Sequence, residues 1–307
     1  MMQFTRAHRG LWYDAHDIVD NTYGARVERS VSAAVPGTPP GSAFIMSGVR
    51  LIQFTDPHLY GEEQGMLRGV ATYRSLIDTV ERAQARDWPV DAILLTGDVV
   101  QEDPGGYAMC RRALGHLGTP VYCLPGNHDV PEAMRRELTA PFKVGGTADL
   151  GAWRVIMLDS TIPGCASGRL SGQALAELNA ALGSAPQRHA LVCLHHHPVA
   201  MSSRWLDRVG LANSDEFFRV LDAHRNVRAV LWGHVHQSFD GLRRHVRLLA
   251  TPSTCTQFLP RAEDFEIDTR PPAYRTLELR PDGSLQTEVV WVEPSASGLR
   301  PSACSAA

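Results

Sequence analysis

Residues 121–129, VYCLPGNHD, join a short apolar run to a turn that ends in three polar side chains. Four apolar residues followed by Pro-Gly are typical of a buried strand that stops abruptly. Asn127, His128 and Asp129 then offer an amide, an imidazole and a carboxylate at one point of the chain. In a chain of this composition, Gly-Asn-His-Asp is expected about 0.001 times by chance. The stretch therefore predicts a strand with functional groups at its carboxyl end.

Four other stretches repeat this arrangement of an apolar strand followed by metal-type ligands. Their polar residues are Asp56 and His58 after 49–55, Asp98 after 91–96, His195 to His197 after 189–194, and His234 and His236 after 227–232. Gly-His-x-His is expected about 0.05 times by chance, whereas Asp-x-His alone carries no weight. Residues i and i+2 of a strand project to the same side, so each Asp-x-His or His-x-His pair should share a face. Ligands in α/β proteins bind beyond the carboxyl ends of strands, and we expect these residues to converge there.

Strands and amphipathic helices alternate along most of the chain. The predicted helices, with Ser171 and Ser214 as N-caps, cover 70–86, 107–117, 172–183 and 215–224. Further strands are predicted at 153–158, 246–250, 274–279 and 285–292. This alternation predicts an α/β fold with packed sheets and helices on the outside.

Composition narrows the class of protein. The 307 residues are 44% hydrophobic and 21% charged, which is enough apolar material for a sizeable core. Thirty Lys and Arg against 33 Asp and Glu give a net charge of −3, so no basic field favours nucleic acid or an anionic membrane. No apolar run is long enough for a transmembrane helix, and acidic residues interrupt any signal peptide. Six cysteines without a Cys-x-x-Cys pair are typical of reduced thiols in a cytoplasmic protein.

The two ends of the chain differ from its middle. Residues 1–45 are polar and aperiodic and end in the Pro/Gly stretch 35–41. We predict an extension or linker there, a domain over 46–292, and a flexible tail over 293–307. Two interpretations of the extension stay open: a disordered segment that binds something, or translated upstream sequence with Met46 as the true start. We expect it to be dispensable.

The ligand types indicate the kind of metal. Imidazoles suit Zn and Fe, and carboxylate and amide oxygens suit Mn, so a mixed Asp/His/Asn set predicts a transition-metal pair and not a calcium cage. Two ions about 3.5–4 Å apart need a bridging group, and Asp98 can supply one. We expect Asp129 to orient His128, and His196 and His197 to serve in packing or behind the ligands. Hydrogen-bonded loop residues are expected at His116, His189, His224 and His245.

Taken in chain order, the five strands and the polar residues that follow them resemble the sequence motifs of the calcineurin-like metallophosphoesterases, from about residue 49 to about 250. The resemblance implies a four-layer α/β-β/α sandwich with two mixed β-sheets and two divalent ions, Fe, Mn or Zn. Carried over by position, one ion takes Asp56, His58, Asp98 and His236, and the other takes Asp98, Asn127, His195 and His234. The resemblance also implies that substrate is bound by His58, Asp98, Asn127, His128 and His236. Within 195–197 we choose His195 as the ligand, with His196 as the second choice.

A closer likeness extends from about 46 to 292 and is to the class III cyclic-nucleotide phosphodiesterases. It is carried by Leu-His-His-His-Pro at 194–198 with 205–207 and 211–213, by LATPSTCTQF at 249–258 and by YRTLEL at 274–279. It implies hydrolysis of 3′,5′-cyclic AMP to 5′-AMP, with Asp98 and His128 catalytic. His128 would protonate the leaving 3′-oxygen while Asp129 holds its other ring nitrogen.

Other functions remain open. The same site could act on a glycerophosphodiester, a 2′,3′-cyclic nucleotide or a phosphomonoester, or it could be an inactive metal-binding scaffold. We expect a small-molecule cyclic nucleotide as the partner, no nucleic acid and no membrane, and a monomer or homodimer.

Overall fold

Two β-sheets form the centre of the computed structural model, which describes residues 18–20 and 48–293. The strands are β1 (Ile18–Asp20), β2 (Val49–Phe54), β3 (Met66–Leu67), β4 (Val70–Ala71), β5 (Ala92–Thr96), β6 (Val121–Leu124), β7 (Phe142–Val144), β8 (Gly146–Leu150), β9 (Trp153–Met157), β10 (His189–Cys193), β11 (Val227–Trp232), β12 (Phe239–Arg243), β13 (Val246–Ala250), β14 (Gln257–Phe258), β15 (Ile267–Asp268), β16 (Ala273–Leu279) and β17 (Leu285–Trp291). The helices are α1 (Thr72–Asp87), α2 (Gly106–Leu114), α3 (Pro131–Glu137), α4 (Gly172–Gly183) and α5 (Ser214–Asp222).

Both large sheets mix parallel and antiparallel pairs. The first has the order β17-β16-β2-β5-β6-β7, with β2, β5, β6 and β7 parallel and β16 and β17 antiparallel. The second has the order β1-β12-β13-β11-β10-β9-β8, with β13, β11, β10 and β9 parallel. The strands that precede the polar blocks therefore run in parallel within each sheet.

Alternation of side chains along the strands divides the core into three layers. Ile52 and Phe54 of β2 face α1, α2 and α3, whereas Leu51, which precedes them, faces the second sheet. Val192 of β10 likewise packs towards α4 and α5, and Cys193 packs between the sheets. Helices thus cover the outer face of each sheet and a third apolar layer joins the inner faces. The predicted four-layer sandwich with two mixed sheets is confirmed.

Some element boundaries differ from the predicted ones. Ser171 is the N-cap of α4, and its side chain accepts from Ala174 N at 3.0 Å, as predicted. Ser214 is not the N-cap of α5; it is the first helical residue and Asn213 precedes it. The helix predicted from residue 70 begins at Thr72, because Val70–Ala71 pairs with Met66–Leu67 in a short hairpin.

The terminal predictions fall mostly outside the described residues, which exclude 1–17, 21–47 and 294–307. The part of the extension that is described, β1, forms an edge of the second sheet, pairs antiparallel with β12 and places Ile18 opposite Arg243. Among the described helices, none has the length and apolarity needed to cross a membrane. The five cysteines of the described residues are free, and Cys304 lies outside them.

Candidate metal centre

The side chains that follow five strands meet at the carboxyl ends of the two stacked sheets. β2, β5 and β6 of the first sheet lead into Asp56 and His58, into Asp98 and into Asn127, while β10 and β11 of the second lead into His195 and into His234 and His236. Backbone hydrogen bonds join the segment after β2 to the segment after β5. Asp56 N donates to Gly97 O at 3.1 Å, and His58 N donates to Asp98 O at 3.0 Å. The predicted convergence is therefore present.

Five of these residues adopt left-handed backbone conformations. The φ angles are 53° at Asp56, 50° at His58, 46° at Asp98, 66° at His234 and 48° at His236. The pairs Asp56/His58 and His234/His236 were expected to share a face because residues i and i+2 of a strand project to the same side. That reason is wrong, because their side chains do not project from extended strands. They meet because each strand ends in a tight left-handed turn. Such residues, uncommon outside glycine, cluster at functional sites.

The first ligand group consists of Asp56, His58 and His236. His58 Nε2 and His236 Nε2 are 3.1 Å apart, and His236 Nε2 lies 3.4 Å from Asp56 Oδ1. All three side chains are buried, and their ligand atoms fall within 4.8 Å of one another. Two imidazole nitrogens on one ion at about 2.0–2.1 Å are about 3.3 Å apart at a tetrahedral angle, so this spacing fits a shared cation.

The second group lies on the other side of Asp98. His195 Nε2 is 3.2 Å from His234 Nδ1 and 3.3 Å from Asp98 Oδ2. Asn127 Oδ1 is buried and has no hydrogen-bond partner among the described residues. A buried amide oxygen without a hydrogen-bond partner and two imidazoles are donor types that a divalent transition metal accepts. Asp98 is also 3.9 Å from His58 Nε2, which places its carboxylate between the two groups.

Burial and charge act in opposite directions on the ionisation of the centre. Burial lowers the pKa of His58 to about 4, although Asp98 opposes the shift. Burial alone would lower the pKa of His195, but the nearby Asp98 carboxylate outweighs burial, and the pKa of His195 is raised to about 9. Burial would raise the pKa of Asp98, yet His195 holds it well below its usual range. The carboxylates of Asp56 and Asp98 therefore attract a positive charge into the centre, and a divalent cation supplies such a charge.

Three imidazoles are oriented by hydrogen bonds at the ring nitrogen that faces away from the centre. His58 Nδ1 lies 2.8 Å from Gln101 Oε1, His195 Nδ1 lies 2.8 Å from Thr96 O, and His236 Nδ1 lies 2.7 Å from Thr256 O. An acceptor at Nδ1 fixes the proton there and leaves the Nε2 lone pair free to bind a metal. The sequence did not single out Gln101, and its position three residues after Asp98 was the available signal.

His128 stands at the mouth of the centre, with its side chain 29% exposed. Its Nδ1 is 3.1 Å from Gln101 Nε2 and 3.3 Å from Glu102 Oε1. The prediction that Asp129 holds this ring is wrong. Asp129 accepts instead from the backbone N–H groups of Gly126, Val99 and Val100 and from the Tyr107 hydroxyl, so it fixes the two turns.

The triple histidine divides between ligand and support. His195 lies between Asp98 and His234, whereas His196 Nδ1 contacts the Ser160 hydroxyl at 2.8 Å. His196 Nε2 has no partner among the described residues and lies near His195 and His234. The ring of His197 stacks on His234 at 5.6 Å. The structure thus brings the first choice, His195, between the carboxylate and the imidazole, with His196 directly beside it.

Comparisons with known proteins match this architecture. A family model described as calcineurin-like phosphoesterase matches residues 49–238. The chain is 43% identical over 249 residues to the 3′,5′-cyclic adenosine monophosphate phosphodiesterase CpdA of Pseudomonas aeruginosa, covering 80% of this chain and 91% of that protein. It is 39% identical over 244 residues to CpdA of Escherichia coli K12, covering 78% of this chain and 89% of that one.

A solved structure gives the same fold at much lower identity. A dimetal phosphatase from Danio rerio superposes with a TM-score of 0.60 at 13% identity, covering 80% of this chain and all of that one. Identity at this level supports the fold alone.

Proposed function

The chain belongs to the calcineurin-like phosphoesterases, and on that premise we propose that it is a metal-dependent 3′,5′-cyclic AMP phosphodiesterase that forms 5′-AMP. The observation that carries the proposal is the position of Asp98, whose Oδ2 lies 3.3 Å from His195 Nε2 and 3.9 Å from His58 Nε2. One carboxylate serves two ligand groups in this way when two ions share a bridge. Relatives named for cyclic AMP hydrolysis support the choice of substrate.

The ligands divide between two divalent ions, Fe, Mn or Zn. Asp56, His58, Asp98 and His236 would hold one, and Asp98, Asn127, His195 and His234 the other. Bound ions of this kind polarise phosphoryl oxygens and lower the pKa of water towards neutrality. The amide of Asn127 and the imidazole of His128 face the same opening and would bind the phosphoryl group there, together with the inner residues His58, Asp98 and His236.

Gln101 determines which nitrogen of His128 carries a proton. Its Oε1 accepts from His58 Nδ1, so its Nε2 is the atom that faces His128 Nδ1 and donates to it. His128 Nδ1 is then an acceptor, and the ring proton resides on Nε2. A neutral imidazole is too weak an acid for this step, so the general acid would be the doubly protonated ring, whose Nε2–H would protonate the leaving 3′-oxygen. In the doubly protonated ring, Nδ1–H donates to Glu102 Oε1.

We expect the protein to act in the cytoplasm as a monomer or homodimer on a small cyclic nucleotide. Free thiols throughout the described residues are typical of a reducing compartment.

A substrate panel tests the proposal. The Mn(II)-loaded protein would be assayed with 3′,5′-cyclic AMP, 3′,5′-cyclic GMP, 2′,3′-cyclic AMP, glycerophosphocholine, bis-p-nitrophenyl phosphate and p-nitrophenyl phosphate. We expect the highest kcat/KM with 3′,5′-cyclic AMP and loss of activity in Asp98→Asn, which keeps the shape of the side chain but not its charge. A higher kcat/KM for 2′,3′-cyclic AMP, the glycerophosphodiester or the monoester would overturn the choice of substrate. No hydrolysis of any substrate would indicate a scaffold.

A further inference from the structure

A line of buried hydrogen bonds begins at an arginine between the two sheets. Arg275 of β16 is 2% exposed and lies opposite Gln53 of β2 in the sheet register. Its Nε donates to Thr251 Oγ1 at 2.9 Å, and Thr251 Oγ1 donates to Gln53 Oε1. The other described hydrogen bonds of Arg275 run to neutral oxygens: Ala250 O, Phe239 O and Thr287 Oγ1.

The same line continues from Gln53 to the metal centre. Gln53 Nε2 donates to Thr96 Oγ1 at 2.7 Å, and Thr96 Oγ1 donates to Thr55 Oγ1 at 2.7 Å. Thr55 Oγ1 donates to Asp56 Oδ2 at 2.6 Å. Gln53, Thr96 and Thr55, which link Thr251 to Asp56, are each fully buried. Five consecutive links therefore connect a buried guanidinium to a carboxylate of the first ligand group.

The direction of every link is fixed by the two ends. A guanidinium can only donate and an ionised carboxylate can only accept, so each hydroxyl and the amide between them has one orientation. Burial lowers the pKa of Arg275 to about 10, which leaves it charged at neutral pH. Hydrogen bonds aligned in a low-dielectric interior polarise one another. The positive charge of Arg275 therefore polarises the hydrogen bonds that lead to Asp56.

The relay also selects which oxygen of Asp56 faces the centre. Oδ2 takes the Thr55 hydroxyl, while Oδ1 lies 3.4 Å from His236 Nε2 and 4.0 Å from His195 Nε2. The stretch 249–258 secures the backbone as well, because Ser253 Oγ donates to Asp56 O at 2.7 Å. Thr251 and Arg275 belong to the two stretches, 249–258 and 274–279, that carried the closer resemblance and that the metal ligands do not explain.

We propose that the hydrogen-bond relay Arg275–Thr251–Gln53–Thr96–Thr55 positions the Asp56 carboxylate for the ion of the first ligand group. Arg275 and the relay residues are positioning residues that act through Asp56 and do not touch substrate. The proposal rests on the proposed function only in taking the Asp56 group to bind an ion.

Metal titration tests the relay. Metal-stripped full-length protein would be titrated with Mn(II) alone by calorimetry, as wild type and as Thr55→Val, Thr55→Ser and Thr251→Val. Thr79→Val is the matched control, since Thr79 is fully buried and its hydroxyl donates to Ser75 O at 2.8 Å within α1. The melting temperature of each metal-free variant measures any purely structural loss.

Removal of an outer hydrogen bond to a metal ligand typically weakens metal affinity about 10- to 100-fold. We expect a loss of that size at one of the two sites in Thr55→Val, affinity close to wild type in Thr55→Ser, and a loss of at least about three-fold in Thr251→Val. Thr79→Val should bind both ions normally. Wild-type affinity in Thr251→Val, or equal weakening in Thr79→Val, would overturn the relay. Failure of wild type to hydrolyse cyclic AMP would refute the proposed function and leave this titration unaffected.

Discussion

Left-handed backbone at Asp56, His58, Asp98, His234 and His236 means that the ligands are held against their own conformational preference. For an L-residue this conformation costs about 1–2 kcal/mol. The cost is offset by contacts such as His234 N donating to both carboxylate oxygens of Asp56 at 3.1 Å. Contacts with the rest of the fold therefore hold these residues in the conformation that brings their side chains together.

His128 allows the general-acid role to be separated from metal binding. His128→Ala should keep both ions and lose turnover of cyclic AMP by about 10²–10⁴-fold, because the 3′-oxygen then leaves without a proton. Bis-p-nitrophenyl phosphate, whose leaving group needs no proton, should be affected much less. Steady-state kinetics with both substrates and metal analysis check this, with the exposed His116→Ala as control. Equal losses on both substrates would indicate that His128 positions the phosphate.

Gly126 is required by the close approach of Asp98 and not by its own φ angle. A Cβ at Gly126 would collide with Asp98 Oδ1 and lie 2.7 Å from His195 Cε1. We expect Gly126→Ala to displace both ligands and to bind fewer than two Mn(II) ions per chain by elemental analysis. Gly172→Ala is the control, since its Cβ would meet no atom within 4 Å. Two ions in Gly126→Ala would show that the turn can shift without loss of the centre.

The end of β10 decides between adjacent histidines. His195→Ala should lose one ion, because its Nε2 lies 3.3 Å from Asp98 Oδ2 and 3.2 Å from His234 Nδ1. His196→Ala and His197→Ala should have milder effects, since His196 Nδ1 contacts Ser160 and His197 stacks on His234. Metal analysis of the three variants checks the order. An ion lost only from His196→Ala would move the ligand by one position.

Long apolar elements were the most predictable part of the fold. β6 and β11 begin and end where the sequence predicts, since mainly apolar runs bounded by Pro, Asn or Gly leave little choice. β8 was missed, because its residues GTADL have no apolar alternation and lie mostly exposed at a sheet edge. The two-residue strands β3 and β4 are too short to show a period.

The ligand types of the centre could be predicted from the strand ends, but its supporting contacts could not. Gln101, Thr96 and Thr256 act through contacts between segments that are distant in sequence, and apart from the position of Gln101 three residues after Asp98 nothing in their spacing marks them. Asp129 was given a plausible partner, its neighbour His128, yet burial directs its carboxylate to backbone N–H groups.

At the scale of the whole molecule, ions should stabilise the sandwich, because each ligand group takes residues from both sheets. Ligand at about 1,000 times its Kd adds about 4 kcal/mol of stability. At about 2–4 °C per kcal/mol for a domain of this size, EDTA should lower the Tm by about 10 °C. Calorimetry with and without Mn(II) measures this, and Asp98→Asn should respond far less. An unchanged Tm on metal removal would contradict the expectation.

The amino-terminal segment should be dispensable for the centre. The candidate metal ligands lie between residues 56 and 236, and β1 is the outermost strand of the second sheet, where it pairs with β12. A chain that starts at Met46 should therefore bind two ions, melt within a few degrees of the full chain and hydrolyse cyclic AMP within about two-fold. Loss of folding or of activity would show that the segment is part of the domain.

The distance along the chain between the ligands sets an order of events during synthesis. His58 and His236 stand 178 positions apart, yet their Nε2 atoms are 3.1 Å apart in the folded protein. A ribosome that has released β2, β5, β6 and β7 has made Asp56, His58, Asp98 and Asn127 but neither of the two imidazoles that follow β11. Because metal sites rarely exist before folding, neither ion can be held by its full ligand set until β11 joins the second sheet. Binding of either ion by its full ligand set therefore follows the synthesis of β11, and chains interrupted before residue 234 lack an imidazole of each ligand group.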